Sequence, residues 1–276
     1  MGMSLKPDPN QNQNQNYNGY DPNMYQENQY TSQAYRDPYA DQYQYQQTPY
    51  NQSASMYASS AHAADEISET KYNLVIGACL LWGFLANVFM VKFCFDGIYD
   101  FVSNNYILFF ILYLVMAITG TIMIKKSDNP VVSFIGYNLF VLPLGMVITI
   151  VVNIYQMAGA GNIVTTAFGI TAVVTLLMMA AGSLFPGFFL SIGRVLGISL
   201  LITVLLELIL FIAGASLGII DYIVVAIFCG YVGYDWAKAN EQPKTIDNAV
   251  DSAAELYIDI VNLFLRILRI LARNSN

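Results

Sequence analysis

The chain has 276 residues, 56% of them hydrophobic and only 11% charged, against roughly 25% charged in an average soluble domain. Between Pro130 and Tyr234 the only formal charges are Arg194, Glu207 and Asp221, so this stretch cannot supply the polar surface of a water-soluble fold and most of the protein resides in lipid. The net charge of −7, with no concentrated basic stripe, removes nucleic acid from the partners, because phosphate binding needs a Lys/Arg surface.

Residues 1–70 differ in composition from the rest, with runs such as Gln11-Asn12-Gln13-Asn14-Gln15-Asn16 and tyrosines recurring from Tyr17 to Tyr57. They hold too few aliphatic side chains to offset the entropy of ordering a backbone, which predicts a disordered Asn/Gln/Tyr-rich tail acting as a solvated spacer or interaction segment. The polar start lacks a short apolar run with a small-residue cleavage site, so no secretory signal peptide is expected and the first hydrophobic segment directs insertion.

A membrane domain is predicted over residues 71–276. Crossing a hydrocarbon core of about 30 Å takes roughly 20 helical residues, and apolar runs of that length fall near Asn73–Val91, Tyr106–Ile124, Val131–Asn153, Ile163–Phe185, Val195–Ala215 and Ile219–Trp236, with a seventh, more charged candidate at Ser252–Leu271. Backbone in lipid must satisfy its own hydrogen bonds, and runs this long without strand alternation are helices. The predicted fold class is therefore an all-α polytopic membrane protein. Pro130 and Pro186-Gly187 punctuate the spans, and Pro143 should kink the third. The pairs Gly193/Gly197 and Gly214/Gly218 have GxxxG spacing and read as helix packing.

Lys125 and Lys126 follow the second span, Arg194 precedes the fifth, and Lys238 and Lys244 follow the sixth, whereas the connections after the third and fifth spans carry no Lys or Arg. Basic residues mark the cytoplasmic side, which puts the amino-terminal tail there. Arg266, Arg269 and Arg273 oppose this rule if the seventh segment crosses completely.

At about 100° per residue, Glu255, Asp259, Asn262, Arg266, Arg269 and Arg273 form one stripe on the seventh segment. Two arrangements account for it: a helix lying flat at the membrane interface, or a central helix whose polar line faces a water-filled crevice. Asp235 ends the sixth span, and Asp259 lies seven positions into the next segment, about 10 Å along its axis. The two carboxylates thus reach similar depth on neighbouring helices. An acid inside a membrane segment is costly and is a functional candidate by default. Glu207, in the fifth span, is a further candidate ion-path ligand.

Tyr231-Val232-Gly233-Tyr234-Asp235, followed by Ala254-Glu255-Leu256-Tyr257-Ile258-Asp259-Ile260-Val261-Asn262-Leu263-Phe264-Leu265 and Arg269, resembles the signature of the Bax inhibitor-1 (transmembrane Bax inhibitor motif) family. The resemblance implies a bundle of seven transmembrane helices with the last at the centre. It also implies a pH-sensitive calcium leak whose di-aspartyl sensor falls at Asp235 and Asp259. A basic latch at the end of the second span would be Lys125, with Lys126 beside it. The chain departs from the pattern in the second span, where family members with a leak carry an acid and this sequence has apolar residues and Tyr113 around Leu114. At the latch, lysine replaces arginine, and an ammonium cannot make the bidentate pairing of a guanidinium.

Two carboxylates a few ångströms apart resist double ionisation and share a proton, which makes a pH sensor. Calcium takes six to eight oxygen ligands, so Asp235 and Asp259 would hold it weakly and largely hydrated, as conduction requires. Glu255 and Asn262 join Glu207 as candidate pore-lining residues. The predicted function is a pH-sensitive calcium leak channel; the alternative is a non-conducting regulator that binds membrane partners such as a membrane-bound protease. No cofactor beyond the calcium ion is expected, the bilayer is the constant partner, and a bacterial plasma membrane is the expected location.

An enzyme is not expected. Cys79, Cys94 and Cys229 have no metal-site or disulfide spacing, and His62, the single histidine, lies in the tail. Gly159-Ala160-Gly161 lacks the strand context of a nucleotide loop. Val232-Gly233-Tyr234-Asp235 does not match the Gly-x-Gly-Asp motif of intramembrane aspartyl proteases.

Overall fold

In the computed structural model, residues 66–215 and 218–275 are described, and the elements among them are all helical. They are α1 (Glu69–Phe93), α2 (Phe95–Asn104), α3 (Tyr106–Lys126), α4 (Pro130–Met157), α5 (Gly161–Leu184), α6 (Pro186–Ile212), α7 (Ile219–Glu241) and α8 (Ile246–Asn274). Residues 1–65 of the tail, with its tyrosines and His62, lie outside the described residues; its last residues are ordered, with Ile67 N donating to Lys244 O at 2.7 Å and Glu69 opening α1.

The helix ends follow from local chemistry. The side chains of Ser68, Asn129 and Thr245 accept hydrogen bonds from the first-turn amides of α1, α4 and α8, satisfying donors that have no partner within the helix. Pro130 and Pro186 open α4 and α6, where a missing N–H is harmless. Gly159 and Gly214 adopt φ of +76° and +67° in the turns after α4 and α6, a left-handed conformation that favours glycine. Pro143 is accommodated inside a helix that runs unbroken from Pro130 to Met157.

Among the described residues six helices are long and apolar enough to cross a membrane: α1, α3, α4, α5, α6 and α7. The outward faces of α3 and α6 are almost wholly apolar, with Ile107, Ile111, Ile118, Leu201, Ile202 and Ile209 all exposed. In water such a surface would be intolerable; in lipid it is the expected one. α8 is too charged to be recognised by apolarity, yet it crosses the bundle. Near its start Ser252 bonds to Tyr72 at the beginning of α1, and near its end Arg273 bonds to Gly218 and Asp221 at the beginning of α7. It packs against α1, α4, α5 and α7, and Leu256, Tyr257, Leu263 and Leu268 are fully buried. The structure therefore selects the central helix over the interfacial one.

Polar contacts fix the packing around α8. Tyr137 Oη donates to Cys79 O at 2.8 Å and Tyr257 Oη to Asn87 Oδ1 at 3.0 Å, and the two rings meet edge to face at 5.5 Å. A Cβ on Gly83 would strike the Tyr137 hydroxyl and the Tyr257 ring, so α1 approaches α8 this closely because residue 83 is glycine. Trp82 Nε1 donates to Asn138 Oδ1 at 3.0 Å, joining α1 to α4. Gly193 packs under the Tyr234 ring, as its GxxxG pairing with Gly197 anticipates. Gly214/Gly218 does not work that way: Gly214 faces open space in a turn, and Gly218 lies against the Arg273 guanidinium. A close backbone approach lies elsewhere, where a Cβ on Gly182 would lie 2.5 Å from Gly233 O, bringing α5 and α7 into contact beside Asp235.

The short loop between α7 and α8 is held rigidly. Gln242 Nε2 donates to Tyr72 Oη at 2.7 Å and Ser252 Oγ at 2.6 Å. Lys244 Nζ donates to Ala239 O at 2.8 Å and Asn240 O at 2.6 Å, and lies 4.8 Å from the centre of the Tyr72 ring. Burial pushes its ammonium below the ordinary lysine value, with Glu69 opposing the shift.

Candidate ion and proton site on the central helix

α8 carries a polar line from one side of the bundle to the other. In its first half Asp247, Asp251, Glu255 and Asp259 recur every four residues, which keeps them on one face over about 18 Å. Asp259, 5% exposed, meets Asp235 of α7, 7% exposed, and the two carboxyl groups lie against one another. Asp259 Oδ2 has no hydrogen-bond partner. Lys238, one turn beyond Asp235, donates to both oxygens of Glu255 at 2.6 and 2.7 Å. That is the only ion pair at this end among the described residues.

The second half of the line is cationic. Arg266 grips Glu207 of α6 through both terminal nitrogens, with Nη2 donating to Oε2 at 2.7 Å, and reaches Asp221 Oδ1 of α7 at 3.1 Å. Arg269 donates to Asp221 Oδ1 at 3.3 Å, and Arg273 to Asp221 Oδ2 at 2.8 Å and Gly218 O at 2.9 Å. Three guanidinium groups thus surround two carboxylates and tie α6, α7 and α8 together at the end opposite the α7–α8 loop. Each of the three arginines has a carboxylate partner there.

The predicted site residues are therefore distributed as follows. Asp235 and Asp259 are brought together. Glu255 is held by Lys238, Glu207 by Arg266, and Asn262 donates back to Ile258 O of its own helix at 2.8 Å. Lys125 and Lys126 are exposed at the end of α3 and make no ion pair among the described residues; the lysine whose charge reaches Asp235 is Lys238. No group of three or more His, Cys, Asp or Glu side chains is arranged to hold a metal among the described residues. The donor set at Asp235 and Asp259 suits a weakly held, hydrated cation rather than a resident metal.

Sequence reasoning started the polar stripe at Glu255 and so missed Asp251 and Asp247, although the same four-residue spacing continues back to them. It also passed over Asp221, whose partners lie 45, 48 and 52 residues away.

The fold and site define a polytopic α-helical membrane protein built around a charged central helix. The family described as "Inhibitor of apoptosis-promoting Bax1" matches residues 67–276, and the chain belongs to it. A relative from Lactococcus lactis subsp. lactis (strain IL1403), described as "Uncharacterized protein YrjE", is 26% identical over 216 residues, covering 73% of this chain and 88% of the relative.

Proposed function

We propose that this protein is a pH-sensitive calcium leak channel gated by Asp235 and Asp259. The observation that carries this reading is the contact of two buried carboxyl groups on adjacent helices, with Asp259 Oδ2 left without a partner. Two carboxylates so placed cannot both hold a charge without repulsion, so they share a proton at one pH and separate or take up a cation at another. The pair lies between α7 and the central helix α8, so its separation moves the helix around which the bundle is built. With only two carboxylates and water as ligands, calcium is bound weakly enough to leave again. On this reading Glu207, Glu255 and Asn262 are candidate pore-lining residues, and Lys125 and Lys126 are candidate latch residues. The role is that of a conduit with no catalytic group.

The bacterial relative and the basic loops at the α7–α8 end support a plasma-membrane location with that end, and the amino-terminal tail, in the cytoplasm. The sealed cluster of Glu207, Asp221 and three arginines favours the second reading, a non-conducting regulator that binds a membrane partner, because it closes the end opposite the acid pair. Calcium flux into liposomes holding the purified protein separates the two. The leak reading expects flux that varies with pH in the native protein and a flat profile in Asp235→Asn/Asp259→Asn. Absence of flux at every pH, or an unchanged profile in the double variant, overturns it.

A further inference from the structure

One cluster of buried polar atoms is unused by the gate. Ser133, in the first turn of α4, is fully buried, and its hydroxyl is turned toward the carboxylates of Asp247 and Asp251 on α8. Yet no well-formed hydrogen bond reaches Ser133 Oγ, Asp247 Oδ1 or Asp251 Oδ1, and the one hydroxyl proton can serve only one of the two carboxylates. Asp247 is only 7% exposed. A buried polar atom without a partner is destabilising, and here three converge.

Two neighbouring groups able to serve these oxygens are committed elsewhere. The α4 amino terminus has its own cap: Asn129 Oδ1 accepts from Val131 N at 2.9 Å, and Asn129 O from Ser133 N at 3.0 Å. The nearby ammonium of Lys238 is taken by Glu255, while Asp128 and Glu255 add further negative charge around the cluster. What is missing is a positive group with a preference for oxygen.

We propose that Asp247, Asp251 and Ser133 form a binding site for a hydrated divalent cation, calcium in the first instance, at the α7–α8 end of the bundle. The two carboxylates offer up to four oxygens and the hydroxyl one, and water completes the six to eight that calcium takes. A site with two charges and several waters binds on the order of 0.1–1 mM. It lies at least two helical turns, about 12 Å by helical rise, from Asp259, so it is distinct from the gate and does not depend on conduction. A cation here joins α4 to α8 and offsets repulsion along the acidic face.

The test is equilibrium dialysis of the full-length protein in detergent against radioactive calcium at about 1 mM, paired with thermal unfolding at the same concentration. The native chain and Asp235→Asn/Asp259→Asn are expected to bind calcium and to gain thermal stability from it. Asp247→Asn/Asp251→Asn should lose at least tenfold in affinity and lose the calcium-dependent thermal shift. Ser133→Ala, which adds no bulk, should lose a few-fold. Binding by Asp247→Asn/Asp251→Asn equal to that of the native chain overturns the site. So does calcium binding that disappears in Asp235→Asn/Asp259→Asn while surviving in Asp251→Asn alone. Failure of the flux experiment with this binding intact would remove the channel reading and leave the site standing.

Discussion

The two ends of α8 treat the same problem, buried charge, in opposite ways. At the end near Gly218, Glu207 and Asp221 face Arg266, Arg269 and Arg273, and each carboxylate is gripped by guanidinium. At the other end Asp235, Asp247, Asp251, Glu255 and Asp259 share a single ion-paired lysine among the described residues. The ion-paired end is a lock, because removing Arg266 or either carboxylate strands a partner. The carboxylate-rich end can reach neutrality only by taking up protons or cations, and that makes it the responsive part of the molecule.

Breaking the lock should produce the largest effect. Arg266→Met leaves Glu207 without its bidentate partner and Asp221 with one contact fewer, and removal of one member of a buried pair costs about 3–5 kcal/mol. Since Glu207 is 29% exposed and partly hydrated, the lower bound applies, about 3 kcal/mol in detergent unfolding. Replacing both members, as Arg266→Met/Glu207→Leu, should recover most of that loss, because no stranded charge remains. A double variant as unstable as the single one would mean that shape, not charge, holds this end.

The fold was legible because lipid imposes a simple rule. Stretches such as Tyr106–Lys126 have no alternative to crossing, and their apolarity announces it. The Asp235 and Asp259 pair was legible because a short loop fixes how two consecutive helices meet. Spacing on one helix cannot reveal what the other helices bring, so the pairing of Glu207 with Arg266, 59 residues apart, stayed hidden, as did the approach of Ser133 to Asp247 and Asp251. Gly214/Gly218 shows the converse error, a spacing rule satisfied by residues that lie in a turn.

The sign of a neutralising substitution should differ between the two ends. Asp221→Asn removes the charge that Arg266, Arg269 and Arg273 share, and hydrogen bonds to a charged group contribute about 1.5–3 kcal/mol, so a loss of about 2 kcal/mol is expected. Asp259→Asn instead relieves repulsion with Asp235 and gives Oδ2's position a donor. At neutral pH it should leave stability unchanged or raise it by about 1 kcal/mol. Parallel thermal unfolding of the two variants reads the difference, and destabilisation of equal size in both would abolish the contrast between lock and sensor.

A smaller effect is expected for Lys238→Met. The Lys238 and Glu255 side chains are 38% and 29% exposed, and pairs in such settings contribute roughly 0.2–1 kcal/mol. Stability should therefore fall by less than about 1 kcal/mol, while the loss of the only ion-paired cation at the acidic end among the described residues increases its negative field. Calcium affinity in dialysis should rise by a few-fold, and a fall would mean that Lys238 positions the carboxylates instead of competing with the cation.

The smallest effect belongs to the α3 terminus. Lys125 and Lys126 are exposed and make no ion pair among the described residues, so in this arrangement their charges act on the acid pair only through water and across the screening distance of the salt, about 8–10 Å at ordinary ionic strength. Lys125→Ala/Lys126→Ala should shift unfolding by less than about 0.5 kcal/mol. If Lys238 alone serves the acid pair, the double variant leaves the pH profile of flux in place. If α3 swings inward when the pair ionises, and Lys125 then acts as the latch, the profile moves while resting stability does not. The two measurements together separate a latch that closes only in one protonation state from lysines that merely face solvent or headgroups, since only the former couples a silent stability change to a displaced pH response.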